Sequence, residues 1–417
     1  METPFLPQEV VVLQILARLP VMSLLRFRCV CKAWRHAIDD DAFFHRAHIR
    51  LQKYPSVIIA LKMMKEGGVF VDEGGLPFVK DHEVITAGVY RWDHENLREG
   101  AMATTLVGAI YVHHSFPRRD YVLPDLAHCD GLLLLPADAT ALVLNLATHR
   151  AIELPSFPNV EDARPELPYS FRYRGHQTFG LGLDPRSNTY KVARFFYRSI
   201  DPTISLGMEV CTVGRDQPQY WRETAEPPPY PIRPARAATF FKGSLLWTIE
   251  ESLLVDDDVP GFVRLRLDDE SFSVIPLPPC CPRIHYATSS LAELRGELCL
   301  CVVLPAAAAG SRDGSVEMWV CSDDLDSEQP RWHRRHVLTG APLRPHRLIA
   351  VFDEEIVFEL ESGYLSRFSR PRGVHKDYLR LDDMRYRHPN IGAPVGYTSQ
   401  TLYGCDVVPC VQSLITL

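Results

Sequence analysis

The chain has 417 residues, 46% hydrophobic and 23% charged, with a formal net charge of −7. These are globular proportions, and the negative balance gives no electrostatic footprint for nucleic acid or an anionic membrane. No run reaches the roughly 18 apolar residues of a membrane span, and METPFLPQEV has neither the basic nor the apolar region of a secretory signal. No Asn-x-Ser/Thr acceptor occurs among the 417 residues, and the cysteines number eleven. Together these predict reduced, mostly buried thiols and a cytoplasmic or nuclear location.

The first 50 residues read as a helical module. Val12, Ile15, Leu16 and Leu19 recur at helical spacing and share a face. Pro7 fits a first turn and Pro20 a stop. A second turn carries Val21, Leu24 and Leu25, and a third segment repeats the stripe with Val30, Ala33, Trp34 and Ala37. The run Asp39, Asp40, Asp41 sits poorly at a helix C-terminus, where the dipole is negative. It suits the start of a fourth helix, AFFHRAH, with Asp40 or Asp41 as its cap. So small a module cannot hide all this apolar surface within itself. The surplus packs either on the rest of the chain or on a separate partner.

From residue 52 onward the period changes. SVIIAL (56–61), GGVFVD (67–72), GVYRWD (88–93), AIYVHH (109–114), GLLLL (131–135) and ALVLNL (141–146) read as short strands between turn residues. KMMKEGG (62–68) is the one stretch read as a helical turn or two. A weak repeat begins at Asp130, Lys242, Arg295 and Asp353, with a period of roughly 55 residues and the first interval doubled. The expected architecture is a small all-α module (1–50) followed by a large all-β, propeller-like domain (52–417). PPPYPIRPAR (227–236) and PAAAAGSRDG (305–314) read as loops between blades.

Two resemblances follow from these stretches. LPQEVVVLQILARLPVMSLLRFRCVCKAWRHAI resembles a plant-type F-box without a gap. That resemblance implies docking on a Skp-type adaptor and, through it, on a cullin. It places Leu6, Pro7, Ile15, Leu16, Leu19, Pro20 and Leu24 at the adaptor surface, with Val30 and Trp34 sharing adaptor contact and internal packing. Gln14 and Met22 depart from the acid and the lysine common at those positions. CDGLLLL, NLATHRAIELP, FGLGLDPRSNTYKVARFF, ATFFKGSLLWTI and VRLRLDDESFSVIPLPP, in that order, resemble the F-box-associated domain of plant proteins. This second likeness covers about residues 125–370 and implies a kelch-like interaction propeller.

The remaining motifs bear on chemistry. Cys29 and Cys31 point different ways on a helix, and Cys299 and Cys301 share the face of a strand that otherwise reads as buried. His333 and His336 have no zinc-finger partner pair beside them, so no metal is expected. There is no Gly-x-Ser-x-Gly or His-Glu-x-x-His motif. Asp184, Asp256, Asp257, Asp258, Asp268 and Asp269 read as solvated turn carboxylates, so neither catalysis nor a cofactor is expected. The expected function is capture of a target protein for a Skp–cullin–F-box ubiquitin ligase, by a subunit with no active site of its own. The alternatives are an adaptor-bound module uncoupled from degradation, and a propeller enzyme or sugar-binding domain. Within the loop 227–236, Tyr230, Arg233 and Arg236 are the expected target contacts, being aromatic and arginine side chains on a proline-stiffened rim.

Overall fold

A computed structural model describes residues 11–52, 56–65, 69–71, 77–79, 82–92, 103–108, 112–116, 123–137, 139–158, 177–197, 206–214, 220–254, 260–278, 284–286, 289–304, 315–321, 325–326, 330–339, 345–351, 355–360, 364–369, 374–380, 385–387, 394–397, 402–415 and 417. A π turn, Val11–Ile15, runs into a 3₁₀ turn, Leu16–Arg18, where a regular first helix was expected. Helices Val21–Phe27, Lys32–Asp39 and Ala42–Leu51 follow. Pro20 precedes the second segment, and the Asp41 carboxylate accepts from the backbone N–H groups of Phe43 and Phe44, capping the last helix. Asp39 does lie in the final turn of the preceding helix. Its conflict with the dipole is offset by Arg28, 2.6 Å away.

The rest of the chain forms a six-bladed β-propeller. Blade 1 is Ala127–Cys129, Leu132–Pro136, Ala141–Asn145 and Arg150–Glu153. Blade 2 is Gln177–Asp184, Thr189–Tyr197, Leu206–Val213 and Arg222–Glu223, and blade 3 is Thr239–Phe241, Ser244–Trp247, Phe262–Arg266 and Phe272–Ile275. Blade 4 is Ser289–Leu294, Glu297–Leu304, Ser315–Cys321 and His333–Thr339. Blade 5 is Pro345–Val351, Glu355–Leu360, Tyr364–Ser369 and Val374–Arg380. Blade 6 closes the ring from both ends of the chain. Leu402–Cys410 forms its innermost strand and pairs with Ser56–Lys65, followed outward by His82–Trp92 and Ala103–Gly108. The stretch 62–65, read as helical, continues this strand as far as Lys65.

Each blade is sandwiched between two others, which explains why its strands read as unbroken apolar runs. Along Ser56–Lys65, Val57, Ile59 and Leu61 face blade 5, while Ile58 and Ala60 face blade 1. In blade 1, Leu132 and Leu134 face blade 2, and Leu133 and Leu135 face blade 6. The repeat marks at Asp130, Lys242 and Arg295 are the first hairpin turns of blades 1, 3 and 4. Each turn has two consecutive residues at positive φ: Asp130 (49°) and Gly131 (81°), Lys242 (44°) and Gly243 (75°), Arg295 (56°) and Gly296 (83°). This is the type I′ geometry that suits a two-residue hairpin, with glycine taking the second place at low cost. The doubled first interval is blades 1 and 2 together. Asp353, the fourth mark, lies outside the described residues.

The helical module rests on the face of the ring that carries these hairpin turns. Arg46 donates to the Asn188 side chain at 2.7 Å, and Gln52 exchanges two hydrogen bonds with the Gln412 backbone. Leu414, just past the closing strand, is buried within the helical core itself. The apolar surplus of the module is therefore partly absorbed by the chain's own far end.

Candidate functional site

In the helical module the interior consists of Val12, Leu16, Ala17, Val21, Leu24, Ala37, Ile38 and Phe44, closed by Leu414. His48 is buried beneath them and bonds the Leu19 carbonyl at 2.9 Å, tying the last helix to the first turns. Burial lowers its pKa, outweighing that hydrogen bond. The expected adaptor contacts separate into three groups. Ile15, Pro20 and Val30 are exposed, Ile15 at 45% and Val30 at 57%. Leu19 and Trp34 are half-buried, and Trp34 meets Phe27 edge-on with centroids 5.7 Å apart. Leu16 (1%) and Leu24 (0%) lie inside the module and present nothing outward here. The helical stripe marked them as buried, but a stripe does not say against what. Leu6 and Pro7 lie outside the described residues. Met22 (48%) and Phe43 (62%) join Ile15 and Val30 as exposed apolar side chains; neither was among the expected contacts.

On the propeller, the expected target triad does not form one patch. Tyr230 is half-buried against the core shared by blades 2, 3 and 4. The backbone N–H of Arg233 bonds the Thr248 carbonyl at 3.0 Å, and Ile232 bridges Ile249, which holds the loop on blade 3. Arg236 alone turns to the central channel, donating to the Ser289 carbonyl at 2.7 Å. The channel is a cavity of about 1010 Å³. One end is lined by Ile49 and Arg50 of the last helix and by the hairpin turns. The other, where the inner strands begin, is lined by Asp125, Arg236 and Arg347.

The polar groups at that second end were not foreseen. Arg347 pairs with Asp125, and Lys62 with Asp406 at 2.8 Å; Asp406 also accepts from the Leu126 N–H at 3.0 Å. Burial works against the charge of Arg347, but Asp125, Glu359 and Asp406 outweigh it and raise its pKa. Burial pushes Glu359 up to about 7 despite the pull of Arg347. Burial, then repulsion by Arg347, brings Arg236 down to about 10, and the same two causes hold His128 at about 4. A signal was available: Lys62 interrupts an apolar strand and Asp406 precedes VVPC, and a charge inside such a run needs a buried partner.

The turn carboxylates fare differently from expectation. Asp184 is buried, accepts from the Arg186 and Ser187 backbone and pairs with Lys191 at 2.9 Å. Lys191 also reaches Glu270 of blade 3 at 3.0 Å, so this acid braces two blades. Asp268 pairs with Arg266 at 2.8 Å, and Asp269 is exposed, accepting from Ser271. Asp256, Asp257 and Asp258 lie outside the described residues. Among the described residues no cluster of three metal-ligating side chains occurs, and no cysteine is in a disulfide.

A small helical module on one face of a six-bladed ring defines the class: a two-part chain of α-helical module and β-propeller. Comparison with known proteins gives the family. Residues 6–46 match the F-box domain, and residues 102–351 match the F-box associated beta propeller domain. The chain belongs to the F-box family with an associated propeller, and an F-box implies a Skp-type adaptor as partner. Among its relatives is an F-box/LRR-repeat protein of Arabidopsis thaliana, 22% identical over 78% of this chain and 66% of its own length. An Arabidopsis thaliana F-box/kelch-repeat protein is 25% identical over 85% of this chain and 82% of its own. A solved oligogalacturonate lyase in complex with manganese superposes with a TM-score of 0.36 at 11% identity, covering 78% of this chain and 79% of its own.

Proposed function

We propose that this chain is the target-recognition subunit of a Skp–cullin–F-box ubiquitin ligase, without an active site of its own, working in the cytosol or nucleus. One observation carries the reading: the F-box sits on the face of the propeller that carries the hairpin turns, at the opposite end of the channel from Asp125, Arg236 and Arg347. The exposed apolar side chains Ile15, Met22, Val30 and Phe43 supply the adaptor contact. The face of the propeller away from the F-box takes the target. The work done is positional. A target held on a scaffold shared with a charged ubiquitin-conjugating enzyme meets the thioester at a high effective concentration.

The test is reconstitution with adaptor, cullin and conjugating enzyme, followed by quantification of ubiquitin on co-purified proteins. Transfer that depends on the adaptor and is lost with Val30→Asp is the expected result. Adaptor binding without transfer to any captured protein would favour an adaptor-bound module uncoupled from degradation.

A further inference from the structure

Asn145 ends the third strand of blade 1, where it pairs with Leu132 and Arg150, and it is buried at 1% exposure. Both ends of its side chain are engaged. Oδ1 accepts from the backbone N–H groups of Ala147 at 2.9 Å and Thr148 at 3.2 Å. Nδ2 donates to the Ser413 carbonyl at 3.1 Å, the Ser413 hydroxyl at 3.2 Å and the Ile415 carbonyl at 2.8 Å. Such opposed roles need an amide, because a carboxylate has no proton to donate. Both sets of partners lead to the helical module. Ala147 packs against its core, and Leu414, held between Ser413 and Ile415, lies inside that core at 2% exposure.

The course of segment 411–415 is fixed from other sides as well. Gln52, next after the last helix, exchanges two hydrogen bonds with the Gln412 backbone. A Cβ at Gly131 would stand 2.5 Å from the Val411 carbonyl oxygen and 2.9 Å from the Ser413 Cβ, so the segment lies directly on the first hairpin turn of blade 1. Leu417 is buried in the core shared by blades 1 and 2. Leu414 thus enters the module from a backbone already ordered by the ring, which lowers the entropy lost in seating it. The hydrogen bond from Arg46 to Asn188 is exposed and adds little rigidity by comparison.

We propose that Asn145 is a positioning residue for the F-box, fixing the module in one pose on the ring through segment 411–415 and the turn at Ala147. Under the ligase reading, that pose sets the reach between the adaptor and a target on the propeller, and a stiff connection concentrates the one near the other. The pose belongs to the chain alone. It is measured without adaptor or target, so the outcome is independent of the ligase reading.

The test compares the full chain with Asn145→Asp. Aspartate keeps the acceptor for Ala147 and Thr148 but turns an oxygen towards the Ser413 and Ile415 carbonyls, which it cannot bond. Phe43 and Tyr220, 62% and 59% exposed, are each replaced by p-azidophenylalanine and labelled, and single-molecule energy transfer reads the distance from module to ring. The chain with Asn145 should give one narrow distance, and Asn145→Asp a broad distribution. Hydrogen exchange across 21–51 should quicken roughly tenfold or more in the variant, the scale of one or two buried hydrogen bonds, while blades 3 and 4 keep their protection. Asn145→Ser repeats the comparison without a buried charge, since serine retains an acceptor for the turn and is too short for segment 411–415. A distance as narrow as with Asn145, or unchanged exchange in the module, would overturn the proposal. A β-signal midpoint that falls in both variants would overturn it too, by assigning Asn145 to ring stability.

Discussion

The helical module and the propeller handle apolar surface in opposite ways. Among the described residues the large apolar side chains left exposed are Ile15, Met22, Val30, Phe43 and Leu51 in the module, against Tyr220 and Val337 in the blades. The blades have neighbours on both sides and consume their apolar residues in five shared clusters. The module has one neighbour, borrows Leu414, and still shows an apolar face. At the channel end remote from the module the inventory is reversed, with buried ions in place of exposed hydrocarbon. The two ends of the molecule thus present different physics. One offers area removed from water, and the other offers paired charge in a shielded cavity.

The comparison can be broken most severely at the closing blade. Asp406→Ala leaves the Lys62 ammonium buried without its carboxylate and frees the Leu126 N–H. The expected cost is about 3–5 kcal/mol, read as a large drop in the denaturation midpoint of the β signal. A midpoint within error of the parent would show that blade 6 does not depend on this pair. Next in size is Leu16→Ala, which empties a site 1% exposed inside the module. It should cost about 2–5 kcal/mol, measured as faster hydrogen exchange across 11–51, with blades 2 to 4 keeping their protection. Loss of adaptor binding in that variant would reflect unfolding, whereas a surface lesion should leave protection unchanged.

Val30→Asp and Phe43→Asp sharpen the same contrast. Both side chains are exposed, so stability should stay within about 0.5 kcal/mol. Adaptor affinity should still fall at least roughly tenfold, because a charge would be desolvated at an apolar contact. Unchanged affinity in both would remove this face from the interface. Acid separates the two regions as well. His48 titrates at 6.5 when unfolded and lower when buried, so the unfolded chain binds more protons as pH falls below 6.5. Its contribution is complete above that value and is lost towards the lowered folded pKa. Denaturant titrations of the helical signal at about pH 7 and about pH 5.5 should differ by up to roughly 1 kcal/mol, and His48→Gln should flatten the slope. Glu359 runs the other way, its contribution falling as pH rises from 4.5 through about 7. The smallest effect is expected from reductant. It should not shift the melting temperature, since no described cysteine is in a disulfide; a fall on reduction, with thiol counts below eleven, would contradict this.

The sequence made local structure legible and left long-range partners obscure. The Asp41 cap, the stop before Pro20 and the paired turn residues at Asp130, Lys242 and Arg295 act over a few residues and were readable. The β period and the order of the family motifs gave the propeller, though not its six blades. What spacing alone did not show depended on distant chain. Leu16 and Leu24 share a core with Leu414, a partner that local spacing does not announce. Arg236 left the rim because the chain turns into the channel just before the inner strand Thr239–Phe241, and Asp184 is buried beside Lys191 of its own blade, which in turn reaches Glu270 of the next. Spacing along one strand cannot say which of two buried faces meets a charge.

The path of residues 402–414 has a consequence for how the protein is made. The F-box is synthesised first, yet a piece of its interior arrives about 360 residues later, at the ribosome's usual pace some tens of seconds after. The same segment supplies the inner strand that shuts the ring. A nascent or prematurely stopped chain therefore has neither a closed ring nor a completed docking module. One late segment thus completes two structures at once, the interior of the helical module and the closure of the ring.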